Sequence, residues 1–251
     1  MSRSSASSAA EIRISPQHPA LQGRTGRGVL VAVIDSGVHA DHPHVQGVVG
    51  GIAIEEDAER HDDYVDRLGH GTAVTAAIKE KAPEADIYAI KVFGRTLSTS
   101  TGVLVQAIDE AVEQGARIVN LSLGTAGPEH ELTLWACVNR ARERGALVVS
   151  PKEHEDQAWL PGSLEGAAGV VLDWACPRDQ LGVVHTEGQW PFFVASGFPR
   201  PIPGVSSERN LRGVSFAAAN TTGILASLME KRPELKSVTD IMELLEGRER
   251  L

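Results

Sequence analysis

Three side chains of the types that act together in nucleophilic catalysis lie at the boundaries of predicted elements. Asp35 ends an apolar run, His70 stands where a helix-forming run begins, and Ser215 stands at the start of an Ala-rich stretch. A serine hydroxyl is a weak nucleophile until a histidine accepts its proton, and a carboxylate orients that histidine and stabilises the imidazolium. These residue types, in the order Asp, His, Ser, predict acyl-transfer chemistry if the fold brings them together.

The elements that must position these residues alternate between strand and helix. Short apolar runs rich in β-branched residues predict buried parallel strands at 29–34, 87–92, 117–121 and 146–150. Helical spacing of apolar residues predicts one helix from Val103 to Val112 and another over 131–144, and a glycine follows each. The pattern predicts an α/β fold with three layers, in which a central, mostly parallel β-sheet is flanked by helices. Ligand sites in such folds lie beyond the carboxyl ends of the strands.

Composition and charge exclude several classes of protein. The chain of 251 residues has 24 basic and 33 acidic side chains, which gives a formal net charge of −9. An acidic chain without a long Lys/Arg run argues against a nucleic-acid partner. The longest apolar run is far shorter than the roughly 18 residues of a membrane-spanning helix, so no membrane partner is expected. Because the chain has two cysteines and no segment typical of a signal peptide, a cytoplasmic location is expected.

The first 27 residues differ in composition from the rest of the chain. They are rich in Ser, Arg and Gly and show little periodicity, so a flexible N-terminal leader is predicted for 1–27. No Pro/Gly-rich linker divides the remainder, which predicts a single domain over 28–251.

A stretch rich in histidine raises the question of a metal site. Imidazole and carboxylate groups are common zinc ligands, and the candidates here are His39, His42, His44, His61, Asp62 and Asp63. Their spacing fits neither a closed nor a catalytic zinc pattern. A solvated loop is therefore the favoured interpretation, and no metal or other cofactor is predicted.

Four motifs resemble those of the subtilisin-like serine peptidases, the subtilase family. VAVIDSGVHADHP and GHGTAVTAAI are similar to the aspartate and histidine motifs of that family, and GVSFAAANTTG is similar to its serine motif. The resemblance extends from about residue 28 to residue 247. It implies a serine endopeptidase that acts through an acyl-enzyme, with Asp35 as the orienting acid, His70 as the general base and Ser215 as the nucleophile.

The fourth motif, GARIVNLSLG, resembles the strand with which substrates of the family pair. The resemblance implies that a peptide or protein substrate binds as an extended strand, main chain to main chain. The residues expected to bind it are Ser122, Leu123 and Gly124. The run from Trp159 to Gly162 resembles a wall of the family's substrate pocket.

The segment after the fourth predicted strand departs from the family pattern. The family has Ala-Ala-Gly-Asn there, whose Asn side chain donates to the developing oxyanion, whereas this chain has Pro151-Lys152-Glu153-His154. His154 occupies the position of the Asn and is predicted to take over as donor, because imidazole carries an N–H. The alternative is that His154 is a loop residue and that Lys152 or a backbone amide donates. Glu153 is predicted to line the pocket for the side chain before the scissile bond, unless it points to solvent.

The serine motif also differs from the family pattern. Thr, Met, Pro and His of the family are replaced by Val214, Phe216, Ala219 and Asn220. These changes, with only about 28 residues ahead of the first predicted strand, favour an intracellular processing or peptide-maturation protease of narrow specificity. The alternative is a catalytically impaired pseudoprotease that keeps the fold as a peptide-binding or regulatory module. The altered motifs support this alternative, and the retention of Asp35, His70 and Ser215 opposes it.

Overall fold

A ten-stranded sheet forms the centre of the protein in the computed structural model, which describes residues 10–56, 59–94, 96–206 and 209–247. In chain order the strands are β1 (Ala10–Ile14), β2 (Leu30–Asp35), β3 (Val48–Ile54), β4 (Arg60–His61), β5 (Asp86–Lys91), β6 (Ile118–Leu121), β7 (Leu147–Pro151), β8 (Glu153–His154), β9 (Gln157–Ala158), β10 (Ala168–Leu172), β11 (Leu181–His185) and β12 (Phe192–Ala195). The helices are α1 (His70–Lys81), α2 (Thr101–Glu113), α3 (Glu131–Glu143), α4 (Val214–Met229) and α5 (Val238–Leu245).

The centre of the sheet is parallel and its edges are antiparallel. The strands lie in the order β1-β11-β12-β10-β7-β6-β2-β5-β3-β4, and the pairs from β12 to β3 are parallel. Strands β8 and β9 form a separate hairpin. The four strands predicted from the sequence are β2, β5, β6 and β7, with bounds that agree to within one residue. The expected α/β fold with a mostly parallel sheet is confirmed.

The two faces of β2 show why its sequence is apolar at every position before Asp35. Val31 and Val33 belong to a core that includes α1, α4 and α5. Ala32 and Ile34 point the opposite way, into a core that includes α2 and α3. Since side chains alternate along a strand, a sheet covered by helices on both faces requires an unbroken apolar run.

The N-terminal segment is not a leader, and the prediction for 1–27 is wrong over the residues that the structure describes. Strand β1 pairs antiparallel with β11, with Ile12 opposite Val183. Ile14 is fully buried, whereas Glu11 and Arg13 form an exposed ion pair at 2.7 Å. Five alternating residues are a weak sequence signal, and the partner strand lies about 170 residues away in the chain. Residues 1–9 lie outside the described residues.

The helices α1 and α4 touch backbone to backbone. A Cβ atom added at Gly223 of α4 would lie 2.7 Å from the carbonyl oxygen of Ile78 in α1 and 3.0 Å from the Lys81 Cβ atom. Ile78 lies eight residues after His70, and Gly223 lies eight residues after Ser215. At 1.5 Å per residue the contact is about 12 Å along each helix from its catalytic candidate. This contact therefore helps to set the distance between the two helix N-termini.

We expect Gly223→Ala to lower the free energy of unfolding by about 1–2 kcal/mol, because the cost of the clash exceeds the gain in helix propensity. Urea denaturation of both proteins measures the change. Gly102→Ala is the matched control, since this helical glycine has no neighbour nearer than 3.8 Å, and it should leave stability unchanged or slightly raised. Equal stabilities of the two variants would contradict the close-approach argument.

Candidate active site

The predicted catalytic residues converge at the carboxyl edge of the parallel strands. Asp35 is the last residue of β2, His70 the first of α1, and Ser215 the second of α4. His70 and Ser215 line one cleft of about 200 Å³, together with Ser122, Leu123 and Gly124, which follow β6. The sequence placed these residues on separate elements, and the fold brings them to one site.

Asp35 and His70 form a buried pair. Both carboxylate oxygens of Asp35 lie within reach of His70 Nδ1, at 2.8 and 3.0 Å, and Asp35 is fully buried. The Ser36 N–H donates to the same carboxylate at 2.7 Å. A carboxylate accepts only, so Nδ1 carries the proton in the neutral ring and Nε2 keeps a lone pair. His70 is thereby held as the tautomer that a general base requires.

Asp66 is part of this site although the sequence reasoning missed it. Its buried carboxylate accepts hydrogen bonds from the backbone N–H groups of Leu68, Gly69 and Thr72, and from the Thr72 hydroxyl at 2.7 Å. It therefore binds N–H groups at the start of α1, where no carbonyl of the helix is available to them. The sequence signal that could have identified Asp66 is its position, an acidic residue just ahead of a predicted helix start.

Ser36 connects Asp66 to the Asp35–His70 pair. The Ser36 hydroxyl donates to Asp66 at 2.9 Å and accepts from the Gly71 N–H at 3.0 Å. The residues on either side of His70 are thus held by the same network that holds the strand end carrying Asp35. Hydrogen bonds from the backbone N–H groups of Gly69 and Gly71 therefore fix the chain on both sides of the imidazole.

The electrostatics of the site favour the protonated form of His70. Burial lowers the pKa of His70, but the hydrogen bond that its Nδ1–H donates to Asp35, the charge of Asp35 and the charge of Asp66 outweigh burial and raise the pKa above its ordinary value of 6.5. Burial also raises the pKa of Asp66, and the hydrogen bonds from Thr72, Gly69 and Leu68 outweigh it, so that the net shift is downward. Asp66 therefore remains ionised and contributes negative charge near the imidazole.

Ser215 lies at the positive end of a helix dipole. It occupies the first turn of α4, where backbone N–H groups have no carbonyl partner within the helix. Its hydroxyl donates to the carbonyl oxygen of Ser122 at 3.2 Å. This bond places the serine oxygen directly against the segment predicted to bind substrate.

The wall of the cleft is built by close packing of Trp159 on Gly124. A Cβ atom at Gly124 would collide with the Trp159 indole, so only glycine leaves room for the ring. Thr125 and Leu160, the next residue of each segment, exchange backbone hydrogen bonds at 2.9 and 2.8 Å. The two segments therefore form a rigid wall, and the indole occupies space beside the predicted substrate strand.

The segment that departs from the family pattern is a hairpin rather than a loop. Glu155 and Asp156 have φ angles of 49° and 62°, and they join β8 to β9 as a two-residue turn with both residues left-handed. His154 lines the cleft, and its ring meets Trp159 edge-on with 5.2 Å between the ring centroids. Its Nε2 atom lies 3.8 Å from the Glu155 carboxylate. The predicted oxyanion donor is thus at the cleft.

Glu153 is not brought to the cleft. It precedes His154 on the same short strand, so its side chain points to the opposite face, and it is exposed. The ammonium group of Lys152 lies 5.4 Å from the ring centroid of Phe192, outside the residues that line the cleft. Of the polar side chains in this segment, His154 is the one that reaches the site.

The histidine-rich stretch separates in space. His39, His42 and His44 line a cavity beside α1, whereas His61 lies on β4 at the sheet edge. Within the described residues, no three His, Cys, Asp or Glu side chains are placed to hold a metal ion. Among those same residues, no helix combines the length and apolar character needed to cross a membrane.

A comparison with models of protein families shows to which family the chain belongs. The model described as the Subtilase family matches residues 26–151, half of the chain. The chain belongs to the subtilase family. The matched range contains Asp35 and His70, and Ser215 lies beyond it.

Relatives and solved structures extend the similarity over most of this subtilase. It is 29% identical to M-protease of Shouchella clausii (strain KSM-K16) and 30% identical to subtilisin E of Bacillus subtilis (strain 168), in each case over 86% of the chain. The chain spans 58% and 59% of the length of those relatives.

The fold agrees with that of solved proteases. A cold adapted subtilisin-like serine proteinase aligns with a TM-score of 0.65 at 19% identity, over 85% of this chain and 80% of the other. A protease from Pseudoalteromonas arctica PAMC 21717 aligns with a TM-score of 0.69 at 18% identity, over 93% and 86%.

We expect His70 to titrate above its ordinary pKa of 6.5 in an NMR pH titration of the imidazole. Asp35→Asn should lower that pKa, because a carboxylate stabilises the imidazolium and an amide does not. Asp63→Asn is the control, since Asp63 is exposed and pairs with Arg67 rather than with His70. A pKa of His70 that is unchanged in Asp35→Asn would show that the pair is not formed in solution.

Proposed function

We propose that this subtilase is a serine endopeptidase that cleaves peptide bonds through an acyl-enzyme, with Ser215 as nucleophile, His70 as general base and Asp35 as the orienting acid. The observation that carries the proposal is the Asp35–His70 hydrogen bond of 2.8 Å, formed on the wall of the cleft that Ser215 also lines. A structural histidine would not need a buried carboxylate on one ring nitrogen and a cleft with a serine beside it.

The reaction follows from the positions of these groups. The Ser215 hydroxyl turns from the Ser122 carbonyl toward His70, Nε2 takes its proton, and Oγ forms a bond to the scissile carbonyl carbon. Collapse of the tetrahedral intermediate breaks the C–N bond, and the imidazolium gives its proton to the leaving amine. Water, activated by the same histidine, then hydrolyses the ester. Asp35 stabilises the imidazolium in both halves of the reaction.

The substrate binds in this proposal as an extended strand beside Ser122, Leu123 and Gly124. All three line the cleft, and the segment continues from a strand of the sheet, so its main chain can extend the β-pairing to a peptide. Recognition through main-chain groups tolerates many sequences, and the side-chain pockets then decide which of them are cleaved.

Narrow specificity is part of the proposal, and Trp159 supports it. Its indole covers Gly124 and shares the cleft wall with His154, so the cleft of about 200 Å³ favours a small side chain before the scissile bond. A role in intracellular processing or peptide maturation agrees with such selectivity. Both cysteines are buried free thiols, as expected in a reducing compartment, and fractionation of the source cells tests that location.

Two donors complete the site for the oxyanion in this proposal. One is the backbone N–H of Ser215 at the start of α4, where the helix dipole adds positive potential. The other is an N–H of His154, which reaches the cleft in the place where the family has an Asn side chain. Donors held in place before the reaction stabilise the charge that develops on the carbonyl oxygen.

Ser215→Ala should abolish labelling by a fluorophosphonate probe and reduce peptide turnover by roughly 10⁶-fold, because the nucleophile is lost. Mass spectrometry of a digested peptide library measures turnover and cleavage sites together, and wild-type cleavage should concentrate on small residues before the scissile bond. Residual turnover above about one per cent of wild type would rule out Ser215 as the nucleophile. A wild-type protein that neither labels nor cleaves would instead favour the pseudoprotease alternative.

His154→Ala should slow acylation by about 10²–10³-fold, the usual effect of removing one oxyanion donor. His154→Asn restores a side-chain N–H at this position and should keep most of the rate. Pre-steady-state kinetics with an ester and an amide substrate separate acylation from deacylation. A loss below about tenfold in His154→Ala would assign the second donor to a backbone amide.

A further inference from the structure

A second cavity adjoins the catalytic residues and shares no lining residue with the cleft. It has a volume of about 620 Å³. One wall includes Gly69, which precedes His70, and Thr72 of α1, and the other includes residues 199–202 and 209–211, of which Leu211 lies four residues before Ser215. The cavity, here called the basic pocket, is lined in addition by His39, His42, His44, Arg200 and Arg209.

The walls of the basic pocket are held together by hydrogen bonds. The His39 N–H donates to the Thr72 hydroxyl at 3.1 Å and so ties the histidine loop to α1. The Asn210 amide donates to the Arg200 carbonyl oxygen at 3.2 Å, which closes the opposite loop on itself. The pocket is therefore formed before any ligand binds, as is usual for binding sites of this size.

The interior of the basic pocket is mostly apolar. Ala73 and Ala76 of α1 form its floor, and Pro43, Ile202 and Leu211 form its sides. Ile202 and Leu211 are 47% and 48% exposed, which is high for branched aliphatic side chains. Apolar surface exposed in a concave pocket gains free energy when an apolar side chain covers it.

The charged groups around this apolar surface are mainly basic, although the whole chain carries a net charge of −9. Arg200 and Arg209 contribute permanent positive charge. Among the lining residues that the structure describes, the one carboxylate is that of Asp66, and it is already held by Ser36, Thr72 and backbone N–H groups. Burial lowers the pKa of His44, the charges of Arg200 and His42 lower it further, and the charge of Glu80 opposes them.

We propose that the basic pocket binds the part of the substrate that follows the scissile bond, with an apolar side chain on Ala73 and Ala76 and a carboxylate paired with Arg200 and Arg209. This inference rests on the proposed function. One half of a bound peptide occupies the strand beside residues 122–124. The leaving half must pass the other side of His70, because His70 protonates the leaving amine there. The basic pocket begins next to His70, at Gly69 and Thr72, and shares no lining residue with the cleft that contains residues 122–124.

The carboxylate has two chemical sources, an acidic side chain or the C-terminus of a short leaving peptide. Guanidinium groups pair with both in the same way. If the pocket binds an acidic side chain, the enzyme selects substrates with Asp or Glu after the scissile bond. If it binds a C-terminal carboxylate, the enzyme removes short peptides from the C-terminus of its substrate.

Peptide pairs that differ only in that carboxylate test the proposal. For a sequence cleaved by the wild type, Glu is compared with Gln at each of the three positions after the scissile bond, and a free C-terminus is compared with an amide. We expect kcat/KM to be about tenfold or more higher for at least one carboxylate form, the size of one charge-assisted hydrogen bond. The pair that shows the preference identifies the source.

Substitutions of the two arginines test whether the preference for the carboxylate form arises in the basic pocket. Arg200→Gln combined with Arg209→Gln should abolish the preference, so that the carboxylate and neutral forms of each peptide are cleaved with equal kcat/KM. Arg212→Gln is the matched control, because Arg212 lies in the same loop but against Trp174 rather than in the pocket, and it should keep the preference. Equal rates for all carboxylate and neutral pairs, or a preference that persists in the double variant, would overturn the proposal.

Binding to the Ser215→Ala protein separates this inference from the proposed function. Calorimetry with the same peptide pairs should show tighter binding of the carboxylate form, whether or not the wild type cleaves. If the wild type fails to cleave but the preference in binding is seen, the proposed function fails and the pocket assignment stands. If binding shows no preference, the pocket assignment fails, and cleavage by the wild type still supports the endopeptidase.

Discussion

The contact between α1 and α4 is the constraint on which the active site depends. The backbones of the two helices meet where Gly223 packs on the carbonyl of Ile78, and each contact residue lies two turns beyond a catalytic candidate. Because the helices are rigid over that distance, their separation at the contact carries through to His70 and Ser215. Asp35 is positioned in a different way, because it lies at the end of the central strand β2 of the sheet. Asp35, His70 and Ser215, which come from distant parts of the chain, are thus brought to one site by the sheet and by the packing of two helices.

The burial of α4 creates a second requirement, since nearly all of its residues are inaccessible to water. Polar side chains on such a helix must find partners inside the protein. Asn220 donates to the carbonyl oxygens of Ser196 and Phe198, which anchors the loop that leads back to Ser215. Thr222 donates to Asn120 of β6 at 2.8 Å, and this bond fixes the helix against the strand that precedes the substrate segment. The substitution of Asn for the family's His at 220 therefore has a structural use here.

The sequence by itself determined the four central parallel strands and the chemistry available at the ends of the elements. Continuous apolar runs can be buried only between two layers of helices, so β2, β5, β6 and β7 followed from local pattern. The same pattern put Asp35 at a strand end and His70 and Ser215 at helix starts, because each is flanked by a sharp change from loop to regular structure. These features depend on residues close together in the chain, and local sequence carries them.

The tertiary structure decided what depends on residues far apart. Strand β1 exists because β11 offers an edge about 170 residues later, and Asp66 joins the site because the loop before α1 folds back on Ser36. The sequence predicted that Glu153 and His154 both lie at the substrate site, whereas in the β8–β9 hairpin their side chains point to opposite faces. The basic pocket likewise combines the histidine loop with residues 199–202 and 209–211, which are about 160 positions apart from it in the chain. Long-range pairing and strand alternation set these contacts, and neither is encoded in any single segment of the sequence.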